Sequence, residues 1–156
     1  MKMQEREYSC GAAAIRSALY VLGHKRLSEA TIRKKCGTTP DGTDEFDIIR
    51  GIKAYGHKAK ECKFSSAKVA WSWLKSTLSR GKVVLMCTDN DRHWVTAVGR
   101  LGGRIWIYDS DSTISSRRRR YSALELVAEE ELTRRWGNPL EGQANKFEYY
   151  AICVTG

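Results

Sequence analysis

Downstream of Cys10 the apolar residues Ile15, Ala18, Leu19 and Leu22 recur at i, i+3, i+4 and i+7, the spacing of one helix face. Gly23 follows as a stop, so GAAAIRSALYVLG predicts a helix with one buried stripe and Cys10 in its first turn. Ser28 ahead of Thr31, Ile32 and Cys36-Gly37 predicts a short capped helix. Gly42-Thr43 opens a third, in which Ile48, Ile49, Ile52 and Tyr55 share a face ending at Gly56. Residues 66–79 carry Val69, Ala70, Trp73, Leu74 and Leu78 as a fourth stripe, stopped by Gly81. Up to that glycine the chain reads as all helical.

The period then changes. KVVLMC is a short continuous apolar run, HWVTAVGRL is rich in residues that favour strands, and RIWIYD alternates behind the Gly102-Gly103 turn signal. Residues 82–109 therefore predict three antiparallel strands. A helix is expected around 122–136 from Leu124, Val127, Ala128 and Leu132, and FEYYAICV supplies a last strand. Helices followed by strands indicate an α+β fold, with the N-terminal helices packed on an antiparallel β-sheet. The length of 156 residues suits a single domain over 1–156.

Composition refines this only slightly. With 42% hydrophobic and 29% charged residues the chain can build a core. No apolar stretch approaches the roughly 18 to 20 residues of a membrane span, and MKMQEREYSC lacks the apolar centre of a secretory signal, so a cytoplasmic location is expected. Charge raises a sharper question, because 27 Lys+Arg against 18 Asp+Glu leave a net charge of +9. Such a surface suits an acidic peptide, or a nucleic acid. The run Arg117, Arg118, Arg119 and Arg120 is read as a solvated loop, with nucleic-acid contact as its rival. The five tryptophans are read as core and groove wall, since none lies in an RNA-binding motif.

Five cysteines without a CxxC pair argue against a disulfide framework and a zinc ribbon. Cys36, Cys62, Cys87 and Cys153 sit beside apolar neighbours, as small buried hydrophobes do. Cys10 differs, because unpaired N–H groups and the positive end of the dipole at a helix start stabilise a thiolate. Among the histidines, His24 and His57 fall at turns expected to be exposed, whereas His93 opens a strand behind the polar loop TDNDR. Asp109 closes the next strand, across the hairpin. Antiparallel pairing brings the start of one strand beside the end of the next, so His93 and Asp109 can meet. A helix-mouth cysteine, a sheet histidine and an orienting carboxylate form a nucleophile, a general base and acid, and an orienter for acyl transfer. The backbone N–H of Cys10 and the amide of Gln4 are candidate oxyanion donors. No metal-ligand spacing and no GxxxxGK[ST] loop occurs, so neither a metal, a cofactor nor an attached ATPase is expected.

Gln4, five intervening residues and then Cys10-Gly11 opening an Ala-rich helix resemble the Q-x5-C-G motif of the C39 family of papain-like cysteine peptidases, the bacteriocin-processing or double-glycine peptidases. The likeness continues through Gly37-Thr38, Gly42-Thr43, Ala54-Tyr55-Gly56, His93 with its following aromatic, and Asp109 closing IWIYD, over roughly residues 3–112. It implies a papain-like fold, a peptide or protein substrate and no cofactor. Residue by residue it implies Cys10 as nucleophile, His93 as general base and acid, Asp109 as its orienter, and Gln4 as oxyanion donor. It also implies cleavage after a small-residue site such as Gly-Gly. Two positions depart from the family pattern. Ser9 stands where an aspartate is usual, and could itself cap the helix; Asp109-Ser110 stands where D-P is usual, which makes Asp111 a rival orienter. Two other readings stay open: a related acyl-transfer enzyme, such as a deconjugating isopeptidase or a transamidase, and a catalytically silent module that binds peptide or nucleic acid.

Overall fold

The computed structural model describes residues 4–6, 8–110 and 124–156. Asp111 and the run Arg117 to Arg120 lie outside these.

The sheet is organised by β2 (Val83–Thr88), every residue of which is buried. Side chains alternate across a strand. Val83, Leu85 and Cys87 accordingly join one core cluster, while Val84 and Met86 join another on the opposite face. That explains the unbroken apolar run: both faces are covered. On the first face lie α1 (Cys10–Val21), α2 (Glu29–Cys36) and α3 (Glu45–Lys53), and on the second lie α4 (Ala67–Ser79) and α5 (Glu129–Trp136).

The remaining strands are β1 (Lys58–Phe64), β3 (His93–Leu101), β4 (Arg104–Tyr108), β5 (Leu124–Ala128), β6 (Asn138–Pro139) and β7 (Phe147–Thr155). The sheet order is β1-β7-β2-β3-β4-β5, with β6 paired to β7. Each pairing is antiparallel. The expected α+β architecture, with N-terminal helices on an antiparallel sheet, is the observed one. The last strand of the chain enters the sheet between β1 and β2, tying the C-terminal residues to its centre.

Three expectations need correction. The first helix has no single stripe: Cys10 through Leu19 are all buried, Arg16 and Ser17 included, because α1 lies between the sheet and the α2–α3 pair. Thr96 Oγ1 donates to Ala14 O across 3.0 Å, which is how a polar residue is accommodated under the helix. Second, the chain before residue 81 is not all helical, since KAKECKF forms β1. Among the described residues it pairs only with β7, at the sheet edge, and its lysines leave no apolar alternation to read. Third, 122–136 is not one helix. Leu124–Ala128 pairs with β4 as a strand, and the helix starts at Glu129, where Glu129, Glu130 and Glu131 occupy the positive end and Arg134 and Arg135 the negative end.

Candidate functional site

α1 delivers Cys10 as its first residue, and the cysteine is buried to 9% exposure. Gly11 behind it is required by packing. A Cβ there would lie 2.6 Å from Thr43 Cβ and 2.8 Å from Thr43 Oγ1, so the loop before α3 rests directly on the helix mouth. Trp94 Nε1 donates to Thr43 O at 2.9 Å and locks that loop to the sheet.

His93 and Asp109 meet as the hairpin predicts. The register pairs Thr96 with Tyr108, so Asp109 at the end of β4 becomes a diagonal neighbour of His93 at the start of β3. His93 Nε2 and Asp109 Oδ1 are 2.7 Å apart, and both side chains are buried. With Nε2 taken, the ring nitrogen left for the Cys10 sulfur is Nδ1. Burial works against a charged imidazole, but hydrogen bonds to Asp109 and to the Cys10 side chain, with the charges of both, outweigh it and hold the His93 pKa up at about 10. Nearly complete protonation at neutral pH follows.

Asp109 is held on its second oxygen as well. Arg135 Nη2 donates to Asp109 Oδ2 at 2.7 Å, from a guanidinium that is itself buried. Nothing in the sequence pointed to this arginine, because its partner is remote in the chain and the segment reads as part of a longer helix. Rival Asp111 lies outside the described residues.

Gln4 is brought to the same place. Its backbone N–H donates to Ser110 O at 3.2 Å, its Oε1 accepts from Ser110 Oγ at 2.8 Å, and its Nε2 donates to Arg6 O at 2.8 Å. The Arg6 carbonyl also accepts from Ser9 N and Ser9 Oγ. The Gln4 amide therefore lies between the residue before Cys10 and the residue after Asp109. Ser9 precedes the helix without capping it through its side chain, contrary to expectation: its hydroxyl bonds Arg6 instead, closing the turn that carries Gln4. Glu29, another residue without a sequence signal, anchors this turn. Its buried carboxylate accepts from Glu5 N at 3.1 Å on each oxygen and pairs with Arg33 at 2.8 Å and Arg16 at 3.5 Å.

A cavity of about 400 Å³ is walled by Thr43, Cys87, Trp94 and Tyr150, and touches the site through Thr43, whose side chain abuts Gly11. Among the described residues five carboxylates also line it, Asp41, Asp44, Glu45, Asp91 and Glu148, against the one cation Lys63. Its field is acidic although the chain as a whole is basic. The Cys87 thiol in its wall is pushed far up by burial, and further by the neighbouring Asp91. Burial likewise raises Cys62 and Cys153, which are half-buried rather than buried as expected. The other histidines are not separate exposed turn residues: His24 Nε2 and His57 Nε2 face each other at 2.8 Å, against Tyr55. Among the described residues no group of three or more His, Cys, Asp or Glu is placed to hold a metal ion, and no helix is long and apolar enough to cross a membrane.

The sequence profile of the Peptidase C39 family matches residues 1–133. No curated protein sequence matches. Among solved structures, the peptidase domain of Streptococcus ComA, a bi-functional ABC transporter of a quorum-sensing pathway, superposes with a TM-score of 0.68 at 15% identity, over 99% of this chain and 96% of that one. A double glycine motif protease from an AMS/PCAT transporter, in complex with its leader peptide, gives 0.67 at 19% identity over 99% and 89%. A C39-like peptidase from Bacillus anthracis gives 0.65 at 12% identity over 100% and 94%. At these identities the likeness is one of fold.

Proposed function

Because the chain belongs to the Peptidase C39 family and is thereby a cysteine peptidase, we propose that it hydrolyses a peptide bond through Cys10, His93 and Asp109, with Gln4 assisting. The observation that carries the reading is the His93 imidazole held between the Asp109 carboxylate and the Cys10 sulfur. The Cys10 thiolate attacks the scissile carbonyl carbon, and the developing oxyanion is met by the Cys10 backbone N–H at the start of α1 and by Gln4 Nε2. The imidazolium gives its proton to the leaving amine, and a thioester acyl-enzyme remains. His93, now neutral, takes a proton from water as the water oxygen attacks the thioester carbon; the C–S bond breaks, the carboxylic acid leaves, and the Cys10 thiolate and His93 imidazolium are restored. Asp109 keeps the ring oriented throughout and does not itself gain the proton. The reaction takes place within one domain and in the cytoplasm.

The scissile site we assign is of the Gly-Gly type, a preference that rests on membership of the Peptidase C39 family and on the fold shared with a double glycine motif protease. The acidic cavity further favours a substrate segment that is neutral or basic over the acidic one suggested by net charge alone. Cleavage of Gly-Gly peptides by the wild type and by Cys10→Ala, with and without a thiol blocker, tests the reading. Thiol-dependent cleavage lost in the variant supports it; equal inertness of both, across a panel of Gly-Gly sequences, refutes it.

A further inference from the structure

The groups assigned to the reaction leave a buried cation behind them unexplained. We propose that Arg135 is a positioning residue that fixes Asp109 and, through Asp109, the His93 imidazole. The inference rests on the reading of Cys10, His93 and Asp109 given above, and adds a residue beyond the 1–133 matched to the family.

Leu132 and Trp136 are the wholly buried residues of α5, and they turn the intervening Arg135 toward the sheet. There Ile105 and Ile107 occupy the same face. Asp109 follows at the next position of that parity, so the arginine reaches its carboxylate at the strand end. Asp109 is gripped on both oxygens, Oδ1 by His93 and Oδ2 by Arg135, each at 2.7 Å. A carboxylate bonded on both sides cannot rotate away from the ring, and a planar guanidinium fixes direction in a way a single ammonium does not. Among the described residues, Asp89 of the β2–β3 turn and Glu125 of β5 also face Arg135, and the other side of Asp109 carries His93 of β3, which is bonded in turn to Cys10 of α1. Arg135 lies 3.9 Å from both Asp89 and Glu125, so its 2.7 Å bond to Asp109 is the dominant pairing.

The main chain of the same residue serves the other partner. Arg135 O accepts from Asp89 N at 2.9 Å, and Asn138 Oδ1 accepts from Asp91 N at 2.8 Å. These bonds brace Asp89, Asn90 and Asp91, three successive left-handed residues with φ of 56°, 59° and 59°, directly before Arg92 and His93. Any substitution of Arg135 keeps the carbonyl, so side-chain variants leave this brace in place, and comparison in the Asp109→Asn background separates the Asp109 contact from the longer ion pairs to Asp89 and Glu125.

The test compares wild type, Arg135→Met, Arg135→Lys, Asp109→Asn and the Met/Asn double variant, in cleavage of a Gly-Gly peptide over pH and in iodoacetamide alkylation of Cys10 at pH 6. Arg135→Met is expected to lower kcat by about 10- to 100-fold, as loss of a supporting contact does, with KM nearly unchanged. Losing a cation raises both limbs of the pH–rate curve, by about one unit or more. Arg135→Lys restores the limbs but only part of kcat. In the Asp109→Asn background Arg135→Met adds less than about threefold, because its effect passes through Asp109. Full multiplication of the two losses, or unmoved pH limbs in Arg135→Met, overturns the proposal. If the methionine variant does not fold, the lysine variant decides: a several-fold fall in kcat at constant KM supports it, and wild-type kcat overturns it. Alkylation needs no substrate. A wild type inert to peptides, with Cys10 alkylation slowed by Arg135→Met only while Asp109 is present, refutes the peptidase reading and leaves this one standing.

Discussion

Asp109→Asn is the substitution whose consequences the structure determines most fully. It keeps the side-chain volume, removes the charge between His93 and Arg135, and turns one of the two 2.7 Å contacts into a donor facing a donor or a neutral bond. The rise of His93 from 6.5 to about 10 corresponds to differential stabilisation of the imidazolium on the order of 5 kcal/mol. Because the folded pKa exceeds the unfolded one, this stabilisation is complete below about pH 6.5 and fades as pH climbs toward 10. Cys10 supplies part of it. The hydrogen bond to a charged partner that Asp109 supplies is worth roughly 1.5 to 3 kcal/mol. Arg135, left buried against an amide, costs a further 1 to 3 kcal/mol or so, at every pH in this range. Urea unfolding followed by tryptophan fluorescence should therefore show a gap between wild type and variant of about 3 to 6 kcal/mol at pH 6, closing by about half near pH 10. A gap constant over that range would show that His93 is not held charged by Asp109, and the account of the pair would be wrong.

Three further outcomes follow from particular contacts. Gly11→Ala forces a Cβ to within 2.6 Å of the Thr43 side chain, so thermal unfolding should show a loss of about 1 to 3 kcal/mol; an unchanged midpoint would mean that the loop yields freely. Glu29→Ala leaves Arg16 and Arg33 without their buried partner and releases the Glu5 backbone N–H, which should cost about 3 to 5 kcal/mol in denaturant unfolding and lower kcat through Gln4. Unaltered kcat in folded variant would separate Glu29 from the site. Peptides carrying Lys beside the Gly-Gly pair should show a lower KM than Glu counterparts, with the difference shrinking at high salt, because the cavity is acidic; a preference for Glu would place the substrate elsewhere.

What could be read in advance divides by the range over which each signal acts. The helices α2 to α4 carry their stripes and stops, and α1 its stop, within a dozen residues, and β2 to β4 carry theirs in apolar runs around a Gly-Gly turn. The approach of His93 to Asp109 was legible because a hairpin links them. Strand β1 was not, since its lysines face solvent at a sheet edge and only β7, far along the chain, recruits it. The break at Ala128 was present as three glutamates in a row, but the apolar positions on either side also fit a helix, and only pairing with β4 decides for a strand. Arg135 and Glu29 carry no local mark at all. A buried charge is defined by the partners the fold brings to it, and theirs come from separate elements. The meeting of His24 and His57 is hidden for the same reason.

The central claim, that His93 activates the Cys10 sulfur, is tested most directly by competitive alkylation with iodoacetamide at pH 6 and peptide mapping of the five thiols. An ordinary thiol is almost wholly protonated there and reacts slowly, and burial pushes Cys62, Cys87 and Cys153 further in that direction. The account predicts that Cys10 is modified at least about tenfold faster than any other cysteine in the wild type, and that His93→Gln abolishes the lead. Modification of Cys62 or Cys153 first, or a Cys10 rate indifferent to His93→Gln, would contradict it.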